Sequence, residues 1–342
     1  MAYLIVGQGV AGTLLALEFE RRGVDYNILD LGINHSSAVA AGIMNPVVFR
    51  RLTKSWRIDE CWDLALNEYK ALEEKFGATF IHKKTMRRLF SGEQEAEFWR
   101  EKTNLPEFSR FITLFPEGTT APSYTKNFWG QGLVKEVHHI DVVTFLNHAR
   151  MYFEKQNRIQ KGGVDYTKTQ KDLETKQISG VIFCQGYQNF ENPFFKSLPV
   201  QCTKGQTLTV KMCEVSEQEL LNRKCFVLPM GNEHFRIGAT YEWDETSMEI
   251  TKEAREDLSE KLSALVNVDF EVVDQEAGIR PTSPDRRPIL GAHPEIENMY
   301  LLNGLGAKGY LLAPWAVRHL SSHIFDDEEL LPEVNLKRFT KR

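Results

Sequence analysis

Tyr3-Leu4-Ile5-Val6-Gly7-Gln8-Gly9-Val10-Ala11-Gly12 opens the chain, and the reading of this stretch decides the fold. The apolar run 3–6 has the length of a buried parallel strand. Leu14, Leu15, Leu17 and Phe19 follow at helical spacing up to Arg22, with Gly23 placed to cap the last turn. Tyr26-Asn27-Ile28-Leu29-Asp30 reads as a second strand that ends in an acid. Strand, glycine turn, helix, strand and acid stand in the order of a dinucleotide-binding βαβ unit. Gly7 permits the tight turn, Gly9 lets backbone approach a pyrophosphate, and Gly12 lets helix and strand pack closely. Val10 and Ala11 begin the helix, whose free N–H groups and dipole favour phosphate. Asp30 can accept both hydroxyls of an adenosine ribose and would repel a 2′-phosphate, which disfavours NADP. The motif alone does not separate FAD from NAD.

The next segment, 36–46, is built from small residues and includes Ser36, Ser37, Ala41, Gly42 and Met44. Such residues let backbone lie against a flat cofactor, and the two hydroxyls can reach phosphate oxygens. The alternative is a packed helix start with Ser36 or Ser37 as N-cap. Near the other end, Met299-Tyr300-Leu301-Leu302-Asn303 is strand-like and runs into Gly304-Leu305-Gly306-Ala307-Lys308-Gly309. A helix is predicted from about Tyr310 to Ile324, with Pro314 tolerated in its first turn. This is a second helix N-terminus with Lys308 beside it. It suits a flavin, whose reduced form carries negative charge near N1 and C2=O; a plain βα turn is the alternative. Gly186 ends a further strand-like run, Val181-Ile182-Phe183-Cys184. Arg280 offers a planar fork that grips a carboxylate with two hydrogen bonds, or else a structural salt bridge.

The 342 residues carry a net charge of −5, which gives no bulk attraction to nucleic acid or to anionic membrane. No run approaches the roughly 20 apolar residues of a membrane span. The chain begins without a basic flank or cleavable apolar core, so a cytoplasmic location is expected. Five cysteines without a C-x-x-C pair read as reduced thiols, and no metal site is expected. Arg50, Arg51, Lys54 and Arg57 form a basic run that reads as a solvated face, or as a receiver for an anionic substrate tail or an RNA phosphate. His138 and His139 are expected as surface or capping residues, before a helix over 142–153 that Asp141 caps. The charged tail after Asp326 is expected to be partly ordered.

Taken together, these blocks resemble the D-amino-acid oxidase superfamily, and glycine oxidase-like enzymes in particular. The run 36–44 is similar to that family's second flavin-binding segment. Val200–Gln206, Phe226-Val227-Leu228-Pro229 with Ile237-Gly238-Ala239-Thr240, and Ala277-Gly278-Ile279-Arg280-Pro281 follow in the family's order. The block from Gly304 is most similar to the oxidase domain of the bacterial enzyme that modifies wobble uridines in tRNA.

The resemblance implies an α/β fold, with a discontinuous Rossmann-type FAD-binding domain and a substrate domain built on a mixed or antiparallel sheet. The expected boundaries are 1–75, 131–198 and 275–342 for the first, and 76–130 and 199–274 for the second. It implies bound, removable FAD, since neither Cys nor His stands at the positions of covalent attachment. It further implies oxidation of a small amine or amino acid by hydride transfer to flavin N5, with oxygen or another acceptor taking the electrons. Arg280 would hold the substrate carboxylate, and Tyr241 and Phe226 would line the pocket unless they are simple core. The cofactor set would join Gly7, Gly9, Val10, Ala11, Gly12 and Asp30 to the 36–44 segment, Gly186, and Gly304, Gly306, Ala307, Lys308, Gly309 and Tyr310. One departure is Ala307, where glycine oxidases carry a second arginine. The alternatives are a tRNA-linked oxidase acting on a carboxymethylaminomethyl uridine, an NAD-dependent dehydrogenase, and a non-catalytic nucleotide-binding module. The acidic charge and the lack of a methyltransferase domain weigh against the first of these.

Overall fold

The computed structural model describes residues 1–33, 36–126, 129–243 and 245–339. Tyr3–Val6 lies at the centre of a six-stranded sheet, flanked by Gly180–Phe183 and Tyr26–Asp30. Met299–Asn303 and Ile159–Lys161 extend it on either side, all five parallel, and Ile289–Ala292 closes one edge antiparallel. Both faces are covered, so Gly180–Phe183 is buried at every position and reads as a continuous small and apolar run rather than an alternating one. The helix Val10–Arg21 follows the glycine turn directly and buries Leu14, Leu15 and Phe19. It shares its core with the helix Gly309–Phe325 from the far end of the chain.

Pro314 lies inside that second helix rather than in its first turn. The carbonyl it cannot serve is that of Tyr310, and the buried Tyr69 hydroxyl donates to that oxygen at 2.8 Å. The lost backbone bond is thus replaced by a side chain from Ile58–Phe76.

A ten-stranded mixed sheet stands opposite. Its path runs from Glu242–Trp243 through Gln201–Lys211, His234–Gly238, Phe226–Gly231 and Glu219–Asn222 to Ile81–Leu89, Gln131–Ile140 and Ile43–Met44. Glu271–Thr282 pairs on Gln201–Lys211, and Ile112–Leu114 on Gln131–Ile140. Only Glu219–Asn222 with Ile81–Leu89 is parallel among its described pairs. The strand Gln131–Ile140 belongs to this second sheet, and Glu271–Thr282 runs across position 275.

Three local expectations are corrected. His138 and His139 are buried, because the strand continues to Ile140 and packs them against Trp62 and His82. Burial pushes both imidazoles down to about 4. Asp141 does cap the following helix, Val142–Lys155, by accepting from the Thr144 amide. From Asp327 to Phe339 the tail is packed, since Leu330, Val334 and Leu336 are buried between its charges and Leu290 donates to Val334 O at 2.9 Å, while 340–342 lie outside the described residues. No helix starts at Ser36 or Ser37; the segment turns, and Ser37 Oγ accepts from the Val10 amide at 3.0 Å. Among the described residues no helix is long and apolar enough to cross a membrane.

Candidate functional site

A cavity of about 690 Å³ runs between the two sheets, within the range of sites that enclose a cofactor or small molecule. The first glycine turn supplies Gly7, Gly9, Val10 and Ala11 to its wall, and Asp30 stands beside them. Ser36, Ser37, Ala41 and Gly42 line it next, then Gly186. From the far end of the sequence come Gly306, Ala307, Lys308, Gly309 and Tyr310. The two turns adjoin: Tyr310 Oη donates to Ser37 O at 2.9 Å, and a Cβ on Gly309 would stand 3.6 Å from Val10 Cγ1. Phe226 and Arg280 complete the opposite wall from the ten-stranded sheet.

Four residues singled out in the sequence do not line this cavity. Gly12 lies beneath the turn, where a Cβ would meet Gly7 O at 1.8 Å. Met44 is wholly buried behind the wall, in register with His138. Gly304 packs on the edge strand, with Ile289 Cγ1 2.8 Å from where its Cβ would be. Tyr241 is 46% exposed, its ring 5.3 Å from the Arg280 guanidinium on the outer side.

Asp30 is held before any ligand arrives. Oδ1 accepts from the Gln8 amide at 2.9 Å, and Oδ2 from Gly32 N and Arg150 Nη1, each at 2.9 Å. Arg150 Nη1 also reaches Gln8 Oε1 at 3.2 Å, so one guanidinium fixes both the acid and the buried glutamine. Lys308 Nζ donates to Asn45 O at 3.0 Å and to Ser55 Oγ. Burial, with no acid beside it among the described residues, lowers its pKa to about 8.

Among the described residues the Arg280 guanidinium has no ion pair, and its one hydrogen bond is a long one of 3.5 Å to Thr240 O. Burial lowers its pKa, partly offset by Tyr241. The guanidinium lies over Gly205, where a Cβ would stand 2.1 Å from Nη2.

Several wall residues escaped the sequence reading. Gly162, Gly163 and Val164 line the cavity with Asp30, just after Ile159–Lys161. Gly205, Thr207, Asn222 and Gly278 do so from the ten-stranded sheet. A glycine inside a strand pattern marks a close approach, and Gly205 carried that signal. Asn222 carried none. In the basic run, Arg57 pairs with Glu60 and Glu333 and Lys54 with Asp59, whereas Arg50 and Arg51 are exposed and without an ion pair among the described residues.

Two glycine cradles and an acid on one elongated cavity fit FAD: backbone amides for the pyrophosphate, Asp30 for the ribose, small residues where a ring would lie. The comparisons with known proteins agree with this geometry. A family model described as FAD dependent oxidoreductase (DAO) matches residues 2–322. The tRNA 5-methylaminomethyl-2-thiouridine biosynthesis bifunctional protein MnmC of Legionella pneumophila (strain Corby) is 22% identical over 96% of this chain and 55% of its own length. Glycine oxidase of Pseudomonas aeruginosa is 29% identical over 41% of this chain and 39% of its own. Against the MnmC relatives that it matches throughout, the chain spans about half their length. The crystal structure of glycine oxidase from Geobacillus kaustophilus superposes with a TM-score of 0.81 at 19% identity, covering 99% of this chain and 97% of that one. That likeness shows the fold, as expected: mixed α/β with a glycine oxidase-like FAD-binding architecture.

Proposed function

The chain belongs to the DAO family of FAD-dependent oxidoreductases, and from that premise we propose that it oxidises a carboxylate-bearing amine or amino acid at a C–N bond. The nicotinamide-dependent alternative falls with the family assignment. What carries the reading is Arg280, a half-buried guanidinium on the cavity wall with no acid beside it among the described residues. A desolvated charge without a partner is costly in the free protein, and a ligand carboxylate would satisfy it through the guanidinium fork.

Gly7, Gly9, Val10 and Ala11 would hold the pyrophosphate, Asp30 the ribose, and Ala41, Gly42 and Gly306–Tyr310 the ring system. FAD, when bound, supplies the acceptor for the hydride leaving the carbon that bears the amine. Arg280 binds the substrate carboxylate and so fixes which C–H faces inward. Tyr241 covers the guanidinium from outside, and Phe226 gives an apolar surface that excludes water. Ala307 removes the second arm of a carboxylate clamp, so this site grips with one. Lys308 holds positive charge at the helix N-terminus beside the ring system. No side chain is assigned as general base; alignment carries the reaction. Water then hydrolyses the resulting imine to an oxo acid and ammonia or a smaller amine.

Arg280→Ala tests this. KM for carboxylated amines should rise steeply, or turnover vanish, while the protein keeps its flavin. A variant with full activity on every carboxylated substrate would refute the assignment.

A second reading, oxidation of a carboxymethylaminomethyl group on a tRNA uridine, is supported by the match to MnmC across 96% of this chain. It uses the same Arg280 and differs in partner. Binding of unmodified tRNA that weakens steeply with salt would favour it.

A further inference from the structure

We propose that the cavity has a second recognition end, centred on Asn222, that takes a phosphate carried by the substrate at the far end from its carboxylate. This deepens the amine-oxidation reading and rests on it for the position of the carboxylate.

Asn222 lines the cavity. The buried Arg88 donates through Nη1 to Asn222 Oδ1 and to Arg223 O, and through Nε to Glu95 at 2.6 Å. Arginine only donates, so the amide orientation is fixed: Oδ1 faces Arg88. Nδ2 has no hydrogen-bond partner among the described residues. Asn222 therefore offers the cavity a pair of donors and no acceptor, which selects an oxygen-rich anion over an ammonium group.

The separation from Arg280 follows from the sheet register. Asn222 pairs with Phe226, Phe226 with Gly238, and Gly238 with Thr207, so the four share one face of the sheet. Gly205, the next residue on Thr207's side of its strand, lies under the Arg280 guanidinium. Three strand spacings separate the two ends, about 14 Å. A glycine-sized ligand cannot touch both. A substrate that does needs roughly four residues' worth of extended chain between its anionic groups.

Charge around this end points the same way. The Arg88 guanidinium lies 4.7 Å from the centre of the Phe49 ring, and Phe49 also lines the cavity. Arg50 and Arg51 continue from it, exposed. Neither has an acid partner among the described residues, in a chain whose net charge is −5. Glu95 is taken up by Arg88.

The test uses the oxidised holoenzyme under anaerobic conditions, with the flavin absorbance as the binding signal. The probes are N-carboxymethyl aminohexanol and its phosphate monoester. The ester should bind about tenfold more tightly than the alcohol, the scale of one hydrogen bond to a charged group. Asn222→Asp should abolish the margin, because the new carboxylate pairs with Arg88 and faces the phosphate without donors. The double variant Arg50→Gln, Arg51→Gln, at the surface, should narrow it severalfold. Arg280→Met should weaken both probes alike. Equal binding of the two probes by the unaltered enzyme would overturn the proposal, as would a full margin in a flavin-loaded Asn222→Asp. A margin that holds while neither probe bleaches the flavin would overturn the amine-oxidation reading and leave this subsite standing. Displacement of the ester by single-stranded RNA at low salt would place the phosphate in a polynucleotide; retention would place it in a small molecule.

Discussion

The guanidinium of Arg280 rests on the bare Cα of Gly205, with Nη2 only 2.1 Å from the point where a Cβ would be. Gly205 pairs with Gly278 across the strands, so two adjacent positions without side chains clear the floor on which the guanidinium lies. The carboxylate site is therefore an arginine together with the space made for it.

Gly205→Ala should displace the guanidinium without touching the nucleotide end. Steady-state kinetics should show KM for carboxylated amines raised roughly ten- to hundredfold, the loss of one or two charge-assisted hydrogen bonds. The flavin should stay bound. Because both changes act on one interaction, adding Arg280→Met should cost little more than Arg280→Met alone. Additive losses would show that Gly205 acts elsewhere.

At the opposite end, Gly12→Ala should fail for a different reason. A methyl group 1.8 Å from Gly7 O must push the helix off the turn. Urea unfolding of the apoprotein should lose about 1–3 kcal/mol, the usual scale of overpacking, and FAD affinity should fall with it. An apoprotein of unchanged stability that still binds FAD would contradict the packing.

Asp30 and Arg150 form a pair whose effect should depend on the cofactor offered. Asp30→Asn and Arg150→Met should each weaken FAD binding to the apoprotein, by up to about a hundredfold for the aspartate. Binding of FMN, which lacks the adenosine ribose, should be unchanged in both. Equal losses for FAD and FMN would mean that the pair shapes the fold rather than the ribose site.

Lys308 gives a pH signature. Its ammonium is lowered to about 8 in the folded chain, against an ordinary value of 10.5. Between those values the unfolded chain binds the extra proton, so this residue's contribution to stability rises with pH. Compared with Lys308→Met, the unaltered apoprotein should gain on the order of 1 kcal/mol between pH 7.5 and 9.5 in urea unfolding. The subtraction removes the tyrosines and cysteines common to both. A difference that stays flat over this window would show that Lys308 titrates in its ordinary range.

The parts of the site legible in the sequence are those set by local pattern. A strand, three glycines, a helix and Asp30 lie within 30 residues, and each step follows from its neighbours. The Gly306–Tyr310 block is legible for the same reason. Gly205 signals only that something comes close, and Asn222 signals nothing, because what each faces lies in cross-strand register and depends on strands tens of residues away. The burial of His138 and His139 is hidden because two histidines before a capped helix look like a loop, whereas the strand that buries them ends at Ile140. The order of the tail up to Phe339 is hidden by its charges, which stand between the three apolar residues that cover the edge strand Ile289–Ala292. Pro314 shows the limit of local rules, since its cost is met by Tyr69 from another helix.

The central claim is that Arg280 presents an amine's carboxylate to the bound flavin. The most direct measurement is anaerobic bleaching of the flavin absorbance by a matched pair of ligands, an N-substituted amino acid and its neutral amide. The acid should bleach the flavin and the amide should fail, and Arg280→Met should erase the difference. Bleaching by the amide as fast as by the acid in the unaltered protein would contradict the account.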